Sequence, residues 1–313
     1  MKHFLSIKDI DSLEAWVQMA SELKKGPQKF KNAGEGKTLG LLFFNNSLRT
    51  RLSTQKAAFN LGLHCMTMNF GNEGWALEFE DGTIMDLGKA EHIKEAAQVV
   101  SQYCDIMGVR AFASLTDKQN DEAELVINGF KKYASIPVLN MESSTGHPLQ
   151  ALADMITISE NNQKKRPKVV LSWAPHPKAL PHAVANSFVE MMRLYKEVDF
   201  SITHPKGYEL NPEITKNIPI LYDQEDALKE ADFVYVKNWS TYTPYGEVLS
   251  KDKNWVITPE KLGHAKFMHC LPVRRNVVVA DSVLDSDQSL VIEQANNRTF
   301  AAQVVLKKIL ENL

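Results

Sequence analysis

The stretch Leu39-Gly40-Leu41-Leu42-Phe43-Phe44 is a short apolar run, and Asn45-Asn46-Ser47-Leu48-Arg49-Thr50-Arg51 follows it directly. Polar and apolar residues then recur at helical spacing through Asn60, which predicts a buried strand, a sharp turn and a helix. A helix start has unpaired N–H groups and the positive end of the macrodipole, and both favour an anion. Arg49 and Arg51 add planar guanidinium groups that match phosphate oxygens. The turn therefore predicts a phosphate site, while a serine cap on a solvated basic helix would give the same local pattern.

The composition is that of an ordinary globular protein. A chain of 313 residues predicts two domains. Its net charge of −2 does not indicate a basic surface for binding nucleic acid or a membrane. The cysteines, Cys65, Cys104 and Cys270, have no metal-ligand spacing and are too few for a disulfide framework. The sequence has neither a signal peptide nor a run of membrane-spanning length. We expect a cytoplasmic protein whose partners are small molecules or copies of itself, with no nucleic acid and no membrane.

Strand-like apolar runs alternate with helical periodicity along almost the whole chain, which predicts an α/β fold of two doubly wound parallel-sheet domains. The predicted strands cover 38–44, 64–69, 105–109, 136–140, 168–172, 198–203, 233–237 and 266–270. The predicted helices cover 48–60, 91–103, 121–133, 148–159, 179–195, 225–230 and 289–310. We expect a first domain of residues 1–149 and a second of 150–313, with the C-terminal helix (about 289–313) packing back on the first. The polar stretch 160–167 is interpreted as a surface break between domains.

Chemically informative residues fall at the ends of the predicted strands. Two α/β halves imply a cleft in which loops at the carboxyl ends of the strands bind ligands. The residues at these ends are Ser47, Arg110, Glu142, His147, His176, Lys237 and the segment Cys270-Leu271-Pro272. These positions are the candidates for an active site.

Three separated motifs identify a family. They are Ser47-Leu48-Arg49-Thr50-Arg51, His147-Pro148-Leu149-Gln150 and His269-Cys270-Leu271-Pro272-Val273-Arg274-Arg275-Asn276. Together, and in this order, they make the chain resemble the aspartate and ornithine carbamoyltransferase family over nearly its full length. The resemblance implies the carbamoyltransferase fold, with the active site in the cleft between a carbamoyl phosphate-binding domain and an acylornithine-binding domain.

The resemblance also implies a role for each motif residue. Amine attack on the carbamoyl carbonyl releases phosphate, and the phosphate accepts the proton, so the family needs no metal and no cofactor. Donors around the carbamoyl oxygen stabilise the charge that develops there. The implied phosphate ligands are Ser47, the Leu48 backbone N–H, Arg49 and Thr50; the groups around the oxygen are Arg110, His147 and Arg298; the acceptors for the carbamoyl NH₂ are Gln150 and the backbone carbonyls of Cys270 and Leu271. Cys270 could be interpreted as a reactive thiol, but a cysteine that ends a buried strand is more often an unreactive packing residue. The resemblance supports packing, because the family uses the backbone at this position.

The second half lacks the aspartate that holds the free α-ammonium in ornithine carbamoyltransferases. The matching segment, Val236-Lys237-Asn238-Trp239-Ser240-Thr241-Tyr242, has a lysine instead. A cation there repels an ammonium and attracts a carboxylate by roughly 1–4 kcal/mol, so we expect a substrate with a masked α-amine. Segments 44–50, 74–79, 140–143 and 237–239 are similar to the N-acylornithine branch of the family. In that branch Trp75 reaches the neighbouring subunit's site, which implies a homotrimer with shared sites.

The position of Ala90 bears on the acyl group. Acetyl-specific members have a glutamate at the matching position and succinyl-specific members a proline, and Ala90 is small and uncharged. Acetyl-specific members also have a lysine where this chain has Val278. Glu142, His176, Lys237 and Arg274 match the succinylornithine-binding positions. The resemblance favours carbamoyl transfer to N-succinyl-L-ornithine in arginine biosynthesis, with N-acetylornithine as the alternative.

Other functions remain open at this point. Free ornithine or aspartate could be the acceptor, or the chain could be a non-catalytic sensor of carbamoyl phosphate or of an acylated amino acid. A sensor typically loses a catalytic residue, whereas all of Arg49, Arg110, His147, Gln150 and Arg298 are present. A nucleotide-binding protein is disfavoured because no glycine-rich phosphate-binding motif follows any predicted strand.

Overall fold

The chain divides into two compact units in the computed structural model, which describes residues 1–71 and 73–313. Unit 1 comprises Met1–Leu149 and Arg298–Leu313, and unit 2 comprises Gln150–Asn297. The change of unit at 149/150 lies inside a helix, Pro148–Asn161. The sequence predicts that the polar stretch 160–167 separates the two domains. This prediction is wrong, because the stretch is a connection within unit 2.

Unit 1 is an α/β unit built on a parallel sheet. Its elements in chain order are α1 (Leu13–Lys25), β1 (Thr38–Phe43), α2 (Leu48–Asn60), β2 (His64–Asn69), β3 (Leu77–Glu78), β4 (Glu91–His92), α3 (Ile93–Tyr103), β5 (Ile106–Arg110), α4 (Lys118–Glu122), α5 (Leu125–Tyr133) and β6 (Val138–Glu142). The sheet has the parallel order β2-β1-β5-β6. Residues of α3 and α5, such as Ile93 and Phe130, pack with Leu42 and Met107 of the sheet in an apolar core.

Unit 2 repeats this design. After α6 (Pro148–Asn161) it contains β7 (Lys168–Trp173), α7 (Ala183–Leu194), β8 (Asp199–Thr203), α8 (Pro212–Thr215), β9 (Ile220–Leu221), α9 (Gln224–Leu228), β10 (Phe233–Lys237), α10 (Pro259–Leu262), β11 (Lys266–Met268), α11 (Asp281–Leu284) and the start of α12 (Val291–Leu310). The residues of α12 from Arg298 onward belong to unit 1. Its sheet has the parallel order β11-β10-β7-β8-β9. Val170, Val234 and Phe267 lie in its core. The predicted α/β class with two parallel sheets is confirmed.

Several predicted elements differ from the observed ones. The predicted helix 121–133 is divided at Glu124, which has a left-handed backbone with φ 53°. Strand β11 ends at Met268 rather than at Cys270, so His269 and Cys270 lie beyond it. The structure also adds α1, which the strand–helix alternation does not predict. None of the described helices has both the length and the apolar character needed to cross a bilayer.

The parallel arrangement of unit 1 collects functional side chains at one sheet edge. Strands β1, β5 and β6 end side by side, and their register pairs Phe43 with Arg110 and Arg110 with Glu142. An irregularity in the β5–β6 register lies between Val109 and Arg110. Such irregularities change the direction of nearby side chains. This one lies next to Arg110, whose side chain donates to Glu142.

Candidate active site

The turn between β1 and α2 has the geometry of a helix N-terminus open to an anion. Ser47 has extended backbone, and its Oγ accepts a hydrogen bond from the Thr50 backbone N–H at 3.2 Å. The helix begins at Leu48, as the sequence predicts. The first turn of this helix, all of whose residues the structure describes, has no acidic side chain. The dipole and the N–H groups of this turn can therefore favour a bound anion.

Arg49 lies in this turn with spare hydrogen-bonding capacity. Its Nε is buried and has no hydrogen-bond partner among the described residues. The positive charge of Arg49 helps to lower the pKa of Arg110. An unpartnered buried donor of a charged group is costly, so this position is suited to an anionic ligand.

Arg110 is fixed by the turn and by strand β6. Its Nη1 donates to the carbonyl oxygens of Asn45 and Asn46 at 2.9 and 3.0 Å, and its Nη2 donates to Glu142 Oε2 at 3.1 Å. The guanidinium also lies 4.0 Å from the centre of the Phe112 ring. Burial lowers the pKa of Arg110 below its ordinary value, while the charge of Glu142 acts in the opposite direction.

His147 and Arg298 continue the same cluster. His147 Nε2 lies 3.5 Å from Glu142 Oε2 and 3.4 Å from Arg298 Nη2. The same Nη2 donates to Thr50 Oγ1 at 2.5 Å. Arg298, which is 248 residues away from Thr50 in sequence, is thereby brought to the first turn of α2. Unit 1 thus assembles Thr50, Arg298, His147, Glu142 and Arg110 into one connected buried cluster.

Gln150 belongs to a second buried cluster, which lies in unit 2. Its Nε2 donates to Asp154 Oδ1 at 2.7 Å, and Gln294 Nε2 donates to the same oxygen at 2.6 Å. Gln294 Oε1 accepts a hydrogen bond from the backbone N–H of His269 at 2.9 Å. Gln150 and the segment that begins at His269 are therefore connected through Asp154.

The segment after β11 has an unusual backbone. Leu271 has φ 57°, and the peptide bond between Leu271 and Pro272 is cis. The Leu271 backbone N–H donates to His269 Nδ1 at 2.9 Å. Cys270 is buried, which agrees with the interpretation of its side chain as packing.

Basic and apolar side chains together line a cavity in unit 2. Arg274 Nε donates to His176 Nε2 at 3.1 Å. Burial lowers the pKa of His176, and the charges of Arg274 and Lys237 lower it further. The cavity has a volume of about 240 Å³ and is lined by Pro175, His176, Pro177, Lys251, Lys253, Val256, Arg274, Asn276 and Val277. Such a basic lining suits a carboxylate.

Trp75 and Ala90 lie together on an exposed part of unit 1, apart from the buried cluster. The Ala90 backbone N–H donates to the carbonyl of Ala76 at 3.1 Å, next to the pairing of β3 with β4. The Trp75 side chain is 53% exposed, and its Nε1 donates to Glu91 Oε2 at 2.8 Å. Large apolar side chains nearby, Ile84 and Leu87, are also exposed.

Sequence reasoning missed several residues that hold these clusters. Glu124, Asp154 and Gln294 each form a hydrogen bond with a predicted site residue or with a loop that carries one. These contacts exist only in the folded chain. Lys251 and Lys253 line the basic cavity, and the charged segment Ser250-Lys251-Asp252-Lys253 was the available signal. Glu142 is among the predicted acylornithine ligands, and the structure places its carboxylate against Arg110 and His147.

The family models of two domains match the chain. The aspartate/ornithine carbamoyltransferase carbamoyl-P binding domain matches residues 2–160, and the Asp/Orn binding domain of the same family matches residues 181–309. The chain therefore belongs to the aspartate/ornithine carbamoyltransferase family, and the resemblance drawn from the three motifs is confirmed.

Individual relatives come from several branches of this family. The chain is 49% identical to the N-succinylornithine carbamoyltransferase of Bacteroides thetaiotaomicron, and the match covers 100% of both chains. It is 34% identical to the N-acetylornithine carbamoyltransferase of Xylella fastidiosa, over 98% of each. Among solved structures, a lysine-to-alanine variant of N-acetyl-L-ornithine transcarbamylase complexed with PALAO matches with a TM-score of 0.92 and 32% identity, over 99% of this chain and 100% of the other.

Proposed function

We propose that this chain transfers the carbamoyl group of carbamoyl phosphate to the δ-amine of N-succinyl-L-ornithine, giving N-succinyl-L-citrulline and phosphate. The single observation that carries carbamoyl transfer is the connected cluster of Arg110, Glu142, His147, Arg298 and Thr50, which lies beside the open first turn of α2. This arrangement offers donors for a phosphate and for a carbonyl oxygen in one buried place. The reaction belongs to arginine biosynthesis, in the cytoplasm.

The phosphate is held by the turn that follows β1. Ser47, the Leu48 N–H, Arg49 and Thr50 supply donors, and the helix dipole adds to them. Arg49 suits this role because its buried Nε has no partner among the described residues. As the bond between the carbonyl carbon and the bridging oxygen breaks, the phosphate leaves with increased negative charge, which these donors stabilise.

The carbonyl oxygen is polarised by Arg110, His147 and Arg298. The neutral δ-amine attacks the carbonyl carbon, and the oxygen becomes negative in the tetrahedral transition state. Fixed donors stabilise such charge without reorganisation, and each of these three side chains is held by contacts within unit 1. The leaving phosphate takes the proton that the amine loses.

The carbamoyl NH₂ is bound by acceptors from Gln150, Cys270 and Leu271. Gln150 Oε1 is buried and has no hydrogen-bond partner among the described residues. Since its Nε2 donates to Asp154, this oxygen is the atom left for a ligand. The backbone carbonyls of Cys270 and Leu271 complete the acceptor set.

The acylated substrate is supported by the charges of unit 2 and by the relatives. Lys237 is buried at the end of β10 and lies near His176, so a carboxylate is favoured there over an ammonium. His176, Arg274 and Glu142 complete the proposed substrate ligands. The identity of 49% to an N-succinylornithine carbamoyltransferase exceeds the 34% to an N-acetylornithine carbamoyltransferase.

We further propose a homotrimer in which Trp75 serves a neighbouring subunit's site. Helix α2 supports an interface, because Leu48, Leu52 and Phe59 are 70%, 56% and 63% exposed. Leu48, Leu52 and Phe59 are spaced by four and seven residues and so lie on one helical face. Exposed apolar groups of this kind mark interaction surfaces.

A substrate panel tests the function. The full chain is assayed for ureido product with carbamoyl phosphate and, separately, ornithine, N-acetylornithine, N-succinylornithine and aspartate. We expect the highest kcat/KM with N-succinylornithine and a poor reaction with ornithine. N-succinyl-L-norvaline, which has no δ-amine, is the control and should inhibit without being carbamoylated. No product with any acceptor would contradict carbamoyl transfer.

A substitution at Ala90 separates succinyl from acetyl specificity. Ala90→Glu adds a negative charge that should disfavour the succinyl carboxylate by about 1–3 kcal/mol and shift the preference toward N-acetylornithine. The ratio of the two kcat/KM values is compared in the parent and the variant. A solved N-acetyl-L-ornithine transcarbamylase with a glutamate replaced by alanine is complexed with carbamyl phosphate and N-succinyl-L-norvaline, which supports this direction. A parent that prefers N-acetylornithine would contradict the interpretation of Ala90.

A further inference from the structure

Asp154 is a fully buried carboxylate that has no role in the proposed reaction. It lies on α6, one turn after Gln150, and its exposed fraction is 0%. Its Oδ1 accepts two hydrogen bonds, from Gln150 Nε2 at 2.7 Å and from Gln294 Nε2 at 2.6 Å. Burying a carboxylate is costly unless its hydrogen bonds compensate, so its position next to a proposed ligand residue calls for an explanation.

The chemistry of a carboxylate fixes the direction of the Gln150 amide. An ionised carboxylate only accepts hydrogen bonds, whereas an amide has a donor end and an acceptor end. The NH₂ end of Gln150 must therefore face Asp154, and Oε1 must point elsewhere. Oε1 is buried and has no hydrogen-bond partner among the described residues, which leaves an oriented acceptor ready for a donor.

Asp154 also acts on the segment that begins at His269. Gln294 donates to Asp154 through Nε2 and accepts the His269 backbone N–H through Oε1 at 2.9 Å. The same argument fixes the direction of this second amide. One carboxylate thus orients the Gln150 amide and holds the backbone just before Cys270 and Leu271.

Tyr235 is a neighbour of Asp154 that adds no second negative charge. Tyr235 is fully buried, and burial raises its pKa well above the ordinary value; the charge of Asp154 raises it further. The phenol therefore stays protonated beside Asp154, so that the carboxylate has a hydroxyl rather than a second negative charge as its neighbour.

We propose that Asp154 is a positioning residue that sets the acceptor end of Gln150, and through Gln294 the segment before Cys270, for recognition of the carbamoyl NH₂. This inference rests on the proposed function and extends it to the discrimination between a carbamoyl group and an acyl group of the same shape. Without Asp154 the Gln150 amide can rotate and present its NH₂ to the NH₂ of the ligand. A methyl group in the place of the NH₂ would be indifferent to this rotation.

Two phosphonates that differ only at this group make the test independent of turnover. Phosphonoacetamide has the NH₂ of carbamoyl phosphate, and acetonylphosphonate has a methyl group there. Dissociation constants are measured by calorimetry for the full chain, and their ratio gives the preference for the NH₂. In Asp154→Leu we expect this preference to fall about tenfold, the effect of one hydrogen bond in a buried place. Asp154→Asn keeps an acceptor oxygen and should retain the preference within about threefold.

Thr157→Val is the matched control, because Thr157 lies on the same helix and is also fully buried. Its Oγ1 accepts a hydrogen bond from Asn297 Nδ2 at 3.0 Å and donates to the Ala153 carbonyl at 2.8 Å, so neither bond involves Gln150 or Gln294. We expect lower thermal stability and an unchanged preference. If Asp154→Leu does not fold, Asp154→Ala is measured in its place.

The outcomes separate this inference from the proposed function. An equal loss of affinity for both phosphonates in Asp154→Leu would mean a purely structural role and would overturn the inference. So would a loss in Asp154→Asn as large as in Asp154→Leu. A parent chain that binds neither phosphonate and turns over no carbamoyl phosphate would overturn the proposed function itself.

Discussion

Arg49 differs from Arg110 and Arg298, the two arginines of the unit 1 cluster, in what it contacts. Arg110 donates to two carbonyls and a carboxylate, and Arg298 donates to Thr50. The Arg49 Nε is buried and has no hydrogen-bond partner among the described residues. The first two are thus held by the protein, whereas Arg49 has a buried donor available for the proposed phosphate site.

Replacing Arg49 by alanine should remove the main charge that holds the phosphate. Loss of a charge-assisted pair in a desolvated site costs about 2–5 kcal/mol, which corresponds to a kcat/KM lower by roughly 30-fold to several thousand-fold. Lys56→Ala is the matched control, since Lys56 is an exposed cation farther along the same helix, and it should keep near-parental activity. Steady-state kinetics with carbamoyl phosphate as the varied substrate makes the measurement. A folded Arg49→Ala enzyme with near-normal kcat/KM would exclude this phosphate site.

At the scale of elements, the turn between β6 and α6 is held by Glu124, which lies between α4 and α5. Glu124 accepts hydrogen bonds from Ser143 Oγ at 2.7 Å, from Ser144 N at 3.1 Å and from Thr145 N at 2.8 Å. This turn connects Glu142 to His147, so Glu124 fixes the spacing of two residues of the cluster. The carboxylate is used in the turn, which explains why it does not cap α5.

Glu124→Gln should weaken this turn, because an amide replaces one accepting oxygen with a donor that faces backbone N–H groups. We expect a loss of about 1–3 kcal/mol of stability in unit 1, together with a lower kcat as His147 loses its fixed position. Glu122→Gln, a change at an exposed neighbour on α4, is the control. Thermal melting and kcat are measured for both. A Glu124→Gln protein with parental kcat would show that the turn keeps its shape without this carboxylate.

The division of the predicted helix 121–133 shows where sequence reasoning stops. Local patterns predict β1, α2 and β2 to within one residue, because strand runs, the Ser47 cap and the helical spacing all lie within a few positions of one another. The left-handed residue Glu124 depends on a turn about twenty residues away in sequence. Local propensity carries no signal for such a contact, so the break in the helix could not be predicted.

The connections within the two clusters are of the same long-range kind. Motif resemblance points to Arg298, His147 and Gln150 one by one, but their contacts depend on tertiary folding. Asp154 and Gln294, which are 140 residues apart in sequence, meet only in the folded chain. Helix α1 is a different case, since Ser12 caps it and Leu13, Trp16, Ala20 and Leu23 form its buried face. Its sequence signal was present, in a segment outside the strand–helix alternation.

At the scale of the whole molecule, buried histidines make stability depend on pH. Burial lowers the pKa of His204, which is 1% exposed, and the same cause acts on His176 and His3. The unfolded chain then binds more protons than the folded chain between each lowered pKa and the ordinary value near 6.5. The free energy of unfolding is therefore at its full value above about pH 6.5, and it decreases as the pH falls below that value.

The melting temperature should therefore fall as the pH is lowered from 7.5 to 5. His204→Asn tests the contribution of one histidine, because the asparagine NH₂ can take the place of Nδ1, which lies 2.9 Å from the Pro205 carbonyl. The variant should have a shallower dependence, by at most about 1.4 kcal/mol per pH unit, the value for one proton. His64→Asn, the same change at an exposed histidine, is the control for the substitution itself and should keep the parental melting temperature at pH 7.5. Equal dependence in the parent and His204→Asn would contradict this assignment.

Subunit mixing tests whether the proposed trimer shares its sites. Trp75 is 53% exposed and is held by Glu91 on a segment with other exposed apolar side chains, an arrangement that an adjoining subunit would cover. Trp75→Ala and Arg49→Ala proteins, each inactive, are dissociated and reassembled together. Random assembly should give about a quarter of the parental activity, because that share of sites receives an intact Trp75 from one chain and an intact Arg49 from its neighbour in a symmetric ring. Arg49→Ala mixed with Arg110→Ala is the control and should stay inactive, since both arginines belong to unit 1 of one chain. A monomer by light scattering, or no recovery in the first mixture, would refute the shared sites.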